Sequence, residues 1–201
     1  MGKQADKHKK IIKRRKGIIT KQGRLIYPCK FDKIEKVFDN IYLCYNKFGT
    51  SIFINSQGDT IKTIKVKSFE STSEGLLLCK NDYNVQYLDS TLSLVFRYKF
   101  YDGFPFVKGI TSVKTRRGWQ VLNRNGNLLS VASYQEIKPI AKNTLQAREH
   151  PKKGIYNYNG ELIVPVEFER IIYVSSTIMQ VIKEGKAGYI TTKGEWIYNP
   201  F

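Results

Sequence analysis

Apolar and polar residues alternate in short runs along the whole chain. In the first stretch "GIIT" is followed by the polar turn "KQG", then by "RLIYP", "KFDKIEKV" and "NIYLCYN". These runs are rich in β-branched and aromatic residues and are bounded by Gly, Asn, Asp or Ser, which predicts strands. None is long enough for a capped helix. The pattern then returns: Gly154 to Ile171 ("GIYNYNGELIVPVEFERI") repeats Gly17 to Ile34 ("GIITKQGRLIYPCKFDKI") at a distance of 137 residues.

The Gly that ends each polar turn sets the period. Gly23, Gly58, Gly126, Gly160 and Gly194 are 35, 68, 34 and 34 residues apart. The double gap predicts a hidden turn at about position 92, where the sequence reads "YLDSTL" with Leu92 in place of Gly. Other columns keep step. Phe31, Val66, Phe100, Tyr134 and Phe168 lie eight residues after the anchor, and Cys44, Cys79, Val113, Ala147 and Val181 lie twenty-one after it. The chain thus holds five full units of about 34 residues and a C-terminal half unit. Gly at the end of a tight turn fits a left-handed residue. Leu92 carries a Cβ that is strained there, so the third turn is expected to differ. Pro28 and Pro165 end a strand, where a missing N–H is tolerated.

One unit cannot bury its own faces, so neighbours must stack. The expected fold is all-β, with tandem repeats of about 34 residues and short antiparallel strands, arranged as a propeller-like ring or a curved β-solenoid. The ring is preferred because closure removes exposed strand edges. The trailing half unit, "GYITTKGEWIYNPF", is expected to pair with the first repeat or to cap an open end. The expected division is a flexible basic arm over residues 1–13 and a single β-repeat domain over 14–201.

The order turn, Gly, aliphatic pair, Pro, aromatic, acid, Ile resembles the unit of the WG-repeat (KWG-repeat) family of bacteria. The stretches "GYITTKGEWI", "GIYNYNGELIVPVEFERI", "GWQVLNRNG", "FESTSEGLLLCK" and "FPFVKGITSVK" carry the likeness over residues 16–201, and Trp119 falls on the family's Trp column. The Trp-Gly dipeptide itself is not intact: Trp119 is followed by Gln120, while Gly17, Gly154 and Gly188 follow Lys16, Lys153 and Ala187. The resemblance implies β-strand repeats and a binding scaffold, and carries over no active site.

Composition changes the picture through charge. The 201 residues have a formal net charge of +17. Residues 1–16 hold eight Lys/Arg against one acid, Asp6, and the remaining +10 belongs to the body. Such an excess points to an anionic partner. The N-terminus has charge but no apolar segment behind it, so it does not read as a secretory signal. No apolar run approaches the length of a membrane span. A cytoplasmic protein is expected, with no membrane partner. Three cysteines, Cys29, Cys44 and Cys79, lack metal or disulfide spacing and read as small apolar core residues. His8 and His150 are too few for a zinc site or a histidine relay.

Enzymatic constellations are missing: there is no phosphate loop, no Ser/His/Asp set and no Cys/His pair, so a non-catalytic protein without cofactor is expected. The recurring acids Asp32, Glu136 and Glu169 read as acceptors of backbone N–H groups at strand corners rather than as an acid–base pair, because a structural need recurs with the repeat. Basic residues are more informative. The turns between successive units carry Lys47, Lys80, Lys114, Arg116, Arg117, Arg148, Lys152, Lys153, Lys183 and Lys186, and Arg14, Arg15 and Lys16 hold the equivalent place before the first unit. Stacking is expected to align them as a basic rim, continued by Lys9, Lys10 and Lys13 of the arm. Tyr27, Tyr42, Tyr45, Tyr101, Tyr156 and Tyr158 lie near strand ends or turns, and Tyr158 in "NYNG" is the best candidate for an exposed base-stacking ring. The expected partner is nucleic acid, RNA or DNA, or a nucleoprotein complex, held through phosphate contacts. The alternative is a protein–protein scaffold that recognises an acidic protein surface.

Overall fold

The computed structural model describes residues 15–47, 49–71, 74–130, 132–140 and 144–201. Every regular element among them is a β-strand. The chain forms two compact units, one ending at Val66 and one running from Lys67 to Phe201.

In the first unit, β1 (Lys16–Ile19) and β2 (Leu25–Phe31) form a two-stranded sheet. A four-stranded sheet follows in simple chain order: β3 (Lys33–Phe38), β4 (Ile41–Tyr45), β5 (Ser51–Asn55) and β6 (Thr60–Ile64). The second unit holds four sheets. The first is β7 (Ser68–Ser71), β8 (Leu77–Lys80) and β9 (Val85–Leu88), and the next β10 (Asp102–Gly103), β11 (Ile110–Thr115) and β12 (Gly118–Asn123). Then come β13 (Glu136–Ile140), β14 (Thr144–Glu149), β15 (Lys152–Asn157) and β16 (Leu162–Phe168), and finally β17 (Arg170–Tyr173), β18 (Ile178–Lys183), β19 (Lys186–Thr191) and β20 (Trp196–Tyr198). All pairings are antiparallel between neighbours in sequence, the up-and-down order of a propeller blade.

The sheets open at Lys33, Ser68, Asp102, Glu136 and Arg170, steps of 35, 34, 34 and 34 residues. The sequence period is therefore the structural period, but the cut falls half a unit later. The stretch from Gly17 to Phe31 makes the isolated pair β1–β2, while "GYITTKGEWIYNPF" supplies β19 and β20, the closing strands of the last sheet. In the β7–β9 and β10–β12 sheets the fourth strand is reduced to isolated bridges, Val85 to Phe100 with Leu88 to Leu94, and Trp119 to Tyr134 with Leu122 to Leu128.

The periodic apolar columns form the core. Phe31, Val66, Phe100, Tyr134 and Phe168 are all buried, as are Cys44, Cys79, Val113, Ala147 and Val181. Burial pushes the Cys44 thiol up to about 11, as an apolar site disfavours the thiolate. Cys29 departs from the expectation and is exposed. It lies in a bulge. Between the pairs Lys16–Phe31 and Ile18–Tyr27, the single residue Gly17 faces three, Pro28 to Lys30. The same step recurs between Lys153–Phe168 and Ile155–Val164, where Gly154 faces Pro165 to Glu167. A Cβ on Gly17 would lie 2.6 Å from Tyr27 O, and one on Gly154 would lie 2.6 Å from Val164 O and 2.8 Å from Val166 N. Gly on one strand thus makes room for the Pro-bearing bulge on the other; Cys29 is exposed there, whereas its counterpart Val166 in the second bulge packs against the core. In the β3–β6 sheet, Ile52 replaces the Gly and Thr63 the Pro, and the two pair directly.

The turns before the anchors share one chemistry. Thr20, Asn55, Asp89, Asn123, Asn157 and Thr191 each stand three residues before the anchor, and each side-chain oxygen accepts a backbone N–H from four residues on. The third turn does not differ, contrary to expectation. Leu92 takes φ 62° where Gly23 and Gly126 take 84° and 86°, and its N–H donates to Asp89 O at 2.9 Å as Gly126 N–H donates to Asn123 O at 3.1 Å. The left-handed conformation costs a Cβ-bearing residue about 1–2 kcal/mol. Burial of Leu92 to 3% exposure offsets it.

Candidate nucleic-acid interface

The basic residues singled out from the sequence sit on the hairpins that join the second and third strands of each sheet. Lys47 lies in the β4–β5 turn, Lys80 at the end of β8, and Lys114, Arg116 and Arg117 at the β11–β12 corner. Arg148, Lys152 and Lys153 flank the β14–β15 corner, and Lys183 and Lys186 the β18–β19 corner. Arg15 and Lys16 stand at the start of β1. Lys9, Lys10, Lys13 and Arg14, with the expected arm, lie outside the described residues.

Several of these cations are matched by carboxylates. Arg15 pairs with Asp32 at 3.3 Å, Lys80 with Asp102 at 3.2 Å, Arg148 with Glu136 at 3.3 Å and Lys183 with Glu167 at 3.0 Å. Among the described residues, Lys114, Arg116, Arg117, Lys152 and Lys153 carry no ion pair. They occupy two successive corners. A cleft of about 490 Å³ is lined by Lys114, Arg116 and Arg117 of the first corner together with Ser133 and Tyr134; Lys152 and Lys153 do not line it. Glu149 also lines it, but its carboxylate accepts the Gln135 N–H at 3.1 Å.

The recurring acids do structural duty. Lys47 N–H donates to Asp32 Oδ2 at 2.9 Å, and Glu184 N–H donates to Glu169 Oε1 at 3.2 Å. The corresponding bond in the β13–β16 sheet runs from His150 N–H to Gln135 Oε1 at 3.1 Å, fifteen residues apart as in the other two. Gln135, not Glu136, is the periodic residue, and Glu136 instead pairs with Arg148 and Lys138. Two sheets break this rule: in β7–β9 Lys67 holds the acceptor's place and pairs with Asp82, fifteen residues on, at 3.2 Å, and β10–β12 breaks it as well. Tyr101 stands where the acceptor belongs, fifteen residues before Arg116, and supplies none.

A second depression adjoins that same corner. A groove of about 870 Å³ lies between the β7–β9 and β10–β12 sheets, with Tyr83, Tyr98, Lys99, Tyr101 and Arg116 on its walls and Phe100 and Leu122 at its base. Tyr83, Tyr98 and Tyr101 are 83%, 71% and 52% exposed. Phe100 belongs to a packed aromatic cluster beneath, with Tyr87 to Phe106 at 5.2 Å and Phe96 to Phe106 at 5.9 Å between ring centres. Tyr87 Oη donates to Phe104 O at 2.7 Å, which anchors the cluster to the backbone before β11. The base of the groove is therefore rigid.

Tyr158, the ring expected to be most exposed, is half-buried against the cluster of Tyr134, Leu145 and Tyr156, and that burial raises its pKa. Of the tyrosines picked from the sequence, only Tyr101 reaches the groove. Tyr83 and Tyr98 escape a reading by columns because they belong to no repeat column. No periodic signal in the sequence marks them.

Residues 17–43 match the model of the WG containing repeat. A search of curated protein sequences finds no match. Among solved structures, the chain is similar to BamB from Moraxella catarrhalis, with 13% identity, TM-score 0.40 and 79% of this chain covered against 57% of that one. It is similar to the N-terminal domain of Nup159, with 10% identity, TM-score 0.41 and coverage of 76% and 55%. Kluyveromyces lactis Hsv2p gives 10% identity, TM-score 0.43 and coverage of 83% and 62%. The chain thus spans 55–62% of the lengths of these three. The likeness to the WG containing repeat rests on residues 17–43, and the strands beyond them keep a step of 34 residues.

Proposed function

We propose that the chain is a non-catalytic module that binds nucleic acid, alone or within a nucleoprotein complex, through phosphate contacts. One observation carries this reading: Lys114, Arg116 and Arg117 lack ion pairs among the described residues and line one cleft, and Lys152 and Lys153 lack them at the next corner. At other corners Asp32, Asp102 and Glu167 pair with Arg15, Lys80 and Lys183, while Glu136 pairs with Arg148 beside Lys152 and Lys153. A cation left unmatched beside others of its sign is an electrostatic cost in the free protein, and a phosphate chain removes it. Contacts of this kind position a backbone and carry no base sequence.

Fluorescence anisotropy with labelled oligonucleotides at several salt concentrations tests the reading. Each phosphate neutralised contributes about −0.9 to the slope of log affinity against log salt on duplex DNA and about −0.7 on a single strand. The double variant Arg116→Glu/Arg117→Glu is expected to weaken binding and to flatten that slope by roughly the share of two phosphates. Unchanged affinity and slope in this variant would overturn the assignment of the corners.

A further inference from the structure

The phosphate contacts leave the adjoining groove without a role, and its composition is selective. We infer that the groove between the β7–β9 and β10–β12 sheets is a base-stacking subsite for single-stranded nucleic acid, resting on the nucleic-acid reading above. Tyr83, in the β8–β9 turn, and Tyr98, in the segment before β10, present largely exposed rings, and Tyr101 adds a third. A protein surface gathers three such rings in one depression where something covers them. Among the described residues no aspartate or glutamate lines the groove, while Lys99 and Arg116 do. The occupant is thus planar or apolar in part and anionic in part, which is the chemistry of a nucleotide.

Geometry selects the strand state. Arg116 lines both the groove and the basic cleft. A strand whose phosphates cross the corner at Arg116 can turn its bases onto Tyr83 and Tyr98. In a duplex those bases are already paired and stacked, and their faces are closed to the tyrosines. The acceptor that caps three of the corners is also replaced here: Tyr101 stands where Asp32, Gln135 and Glu169 supply it, as Lys67 does in the neighbouring β7–β9 sheet. The repeat is broken where the groove lies, and what the break puts in its place is an exposed ring.

The full chain is titrated at low salt with labelled oligo(U) and oligo(dT) of about ten nucleotides, and with a duplex of the same length. Wild type is expected to favour the single strands by about tenfold or more over the duplex. Tyr83→Ala/Tyr98→Ala is expected to lower single-strand affinity by about tenfold for each ring removed, to leave duplex affinity within about twofold, and to be rescued by Tyr83→Phe/Tyr98→Phe. The oligo(U) and oligo(dT) arms separate RNA from DNA as the source of the strand. Single-strand affinity unchanged in the alanine variant overturns the stacking groove and leaves the phosphate reading intact. No binding of any oligonucleotide by wild type overturns both. Both substitutions remove exposed side chains, so an unchanged circular dichroism spectrum and melting temperature keep the comparison clean.

Discussion

The β13–β16 sheet and the two sheets before it come from the same repeat and obey different rules. In β13–β16 every device is in place: Gly154 opens space for the bulge at Pro165, Asn157 holds the anchor turn, and Gln135 caps the corner at His150. In β7–β12 the anchor turns survive at Asp89 and Asn123 and the flanking bridges keep the bulge's offset, but Gln86 and Gln120 replace its Gly, the fourth strands thin to bridges, and the corner cap gives way to Lys67 and Tyr101. The stretch where the rules lapse is also where three exposed tyrosines and three unmatched cations gather. In a repeat protein the columns that recur hold the fold, and a lapse that exposes chemistry marks the place to look for function.

The largest effect belongs to the regular sheet. Gly154→Val puts a branched side chain against Val164 O and Val166 N, both backbone atoms that yield only if the strand moves. A loss of about 3 kcal/mol in urea unfolding is expected. Ile52 occupies the equivalent place and pairs directly with Thr63, so Ile52→Val should cost under about 1 kcal/mol. Equal effects at the two positions would show that the bulge is not what Gly154 serves.

The irregular region supplies a reversal of the usual ranking. Leu92→Ala and Leu92→Gly empty the same core volume, and each is expected to cost about 2 kcal/mol or more. In most strands and turns Gly is the worse of the two. At φ 62° the alanine keeps its Cβ strain while glycine has none, so Leu92→Gly should be the more stable variant by about 1 kcal/mol. If alanine proves the more stable, Leu92 does not hold the left-handed turn in solution.

The period is legible in the sequence, because Gly23, Gly58, Gly126, Gly160 and Gly194 recur for a reason that does not depend on the rest of the fold: each ends the same turn at positive φ. The phase is not legible. A tandem pattern has no marked beginning, and only pairing decides that β1 joins β2 alone while β19 and β20 complete the last sheet. Spacing reveals the hidden turn at Leu92, but the missing Gly points to the wrong conformation. The signal that outweighs it is Asp89, in column with Asn55 and Asn123, whose side-chain oxygen closes the turn whatever residue ends it. Charge is readable in sign and not in balance. Lys80 and Asp102 are 22 residues apart, and their pairing exists only once two sheets adjoin. Reading by columns also hides what lies off them, which is why Tyr83 and Tyr98 emerge only from the fold.

The smallest effect on stability separates the two regions most sharply. Tyr101→Glu installs, fifteen residues before Arg116, the acceptor that Asp32 presents to Lys47 and Glu169 to Glu184. The new carboxylate caps the Arg116 N–H, and the gain expected from one such bond is about 0.5–1 kcal/mol. The same substitution removes one ring from the groove and sets a negative charge beside Lys99 and Arg116. Single-strand affinity should then fall by more than about tenfold, since a stacking ring is removed and phosphate meets repulsion. Thermal melting and oligonucleotide titration of the same preparation measure the two quantities side by side. A variant more stable and weaker in binding means that the corner has given up its cap for the groove. A variant that binds as well as wild type means that Tyr101 fills space at an ordinary corner, and that the lapse in the repeat there is drift without use.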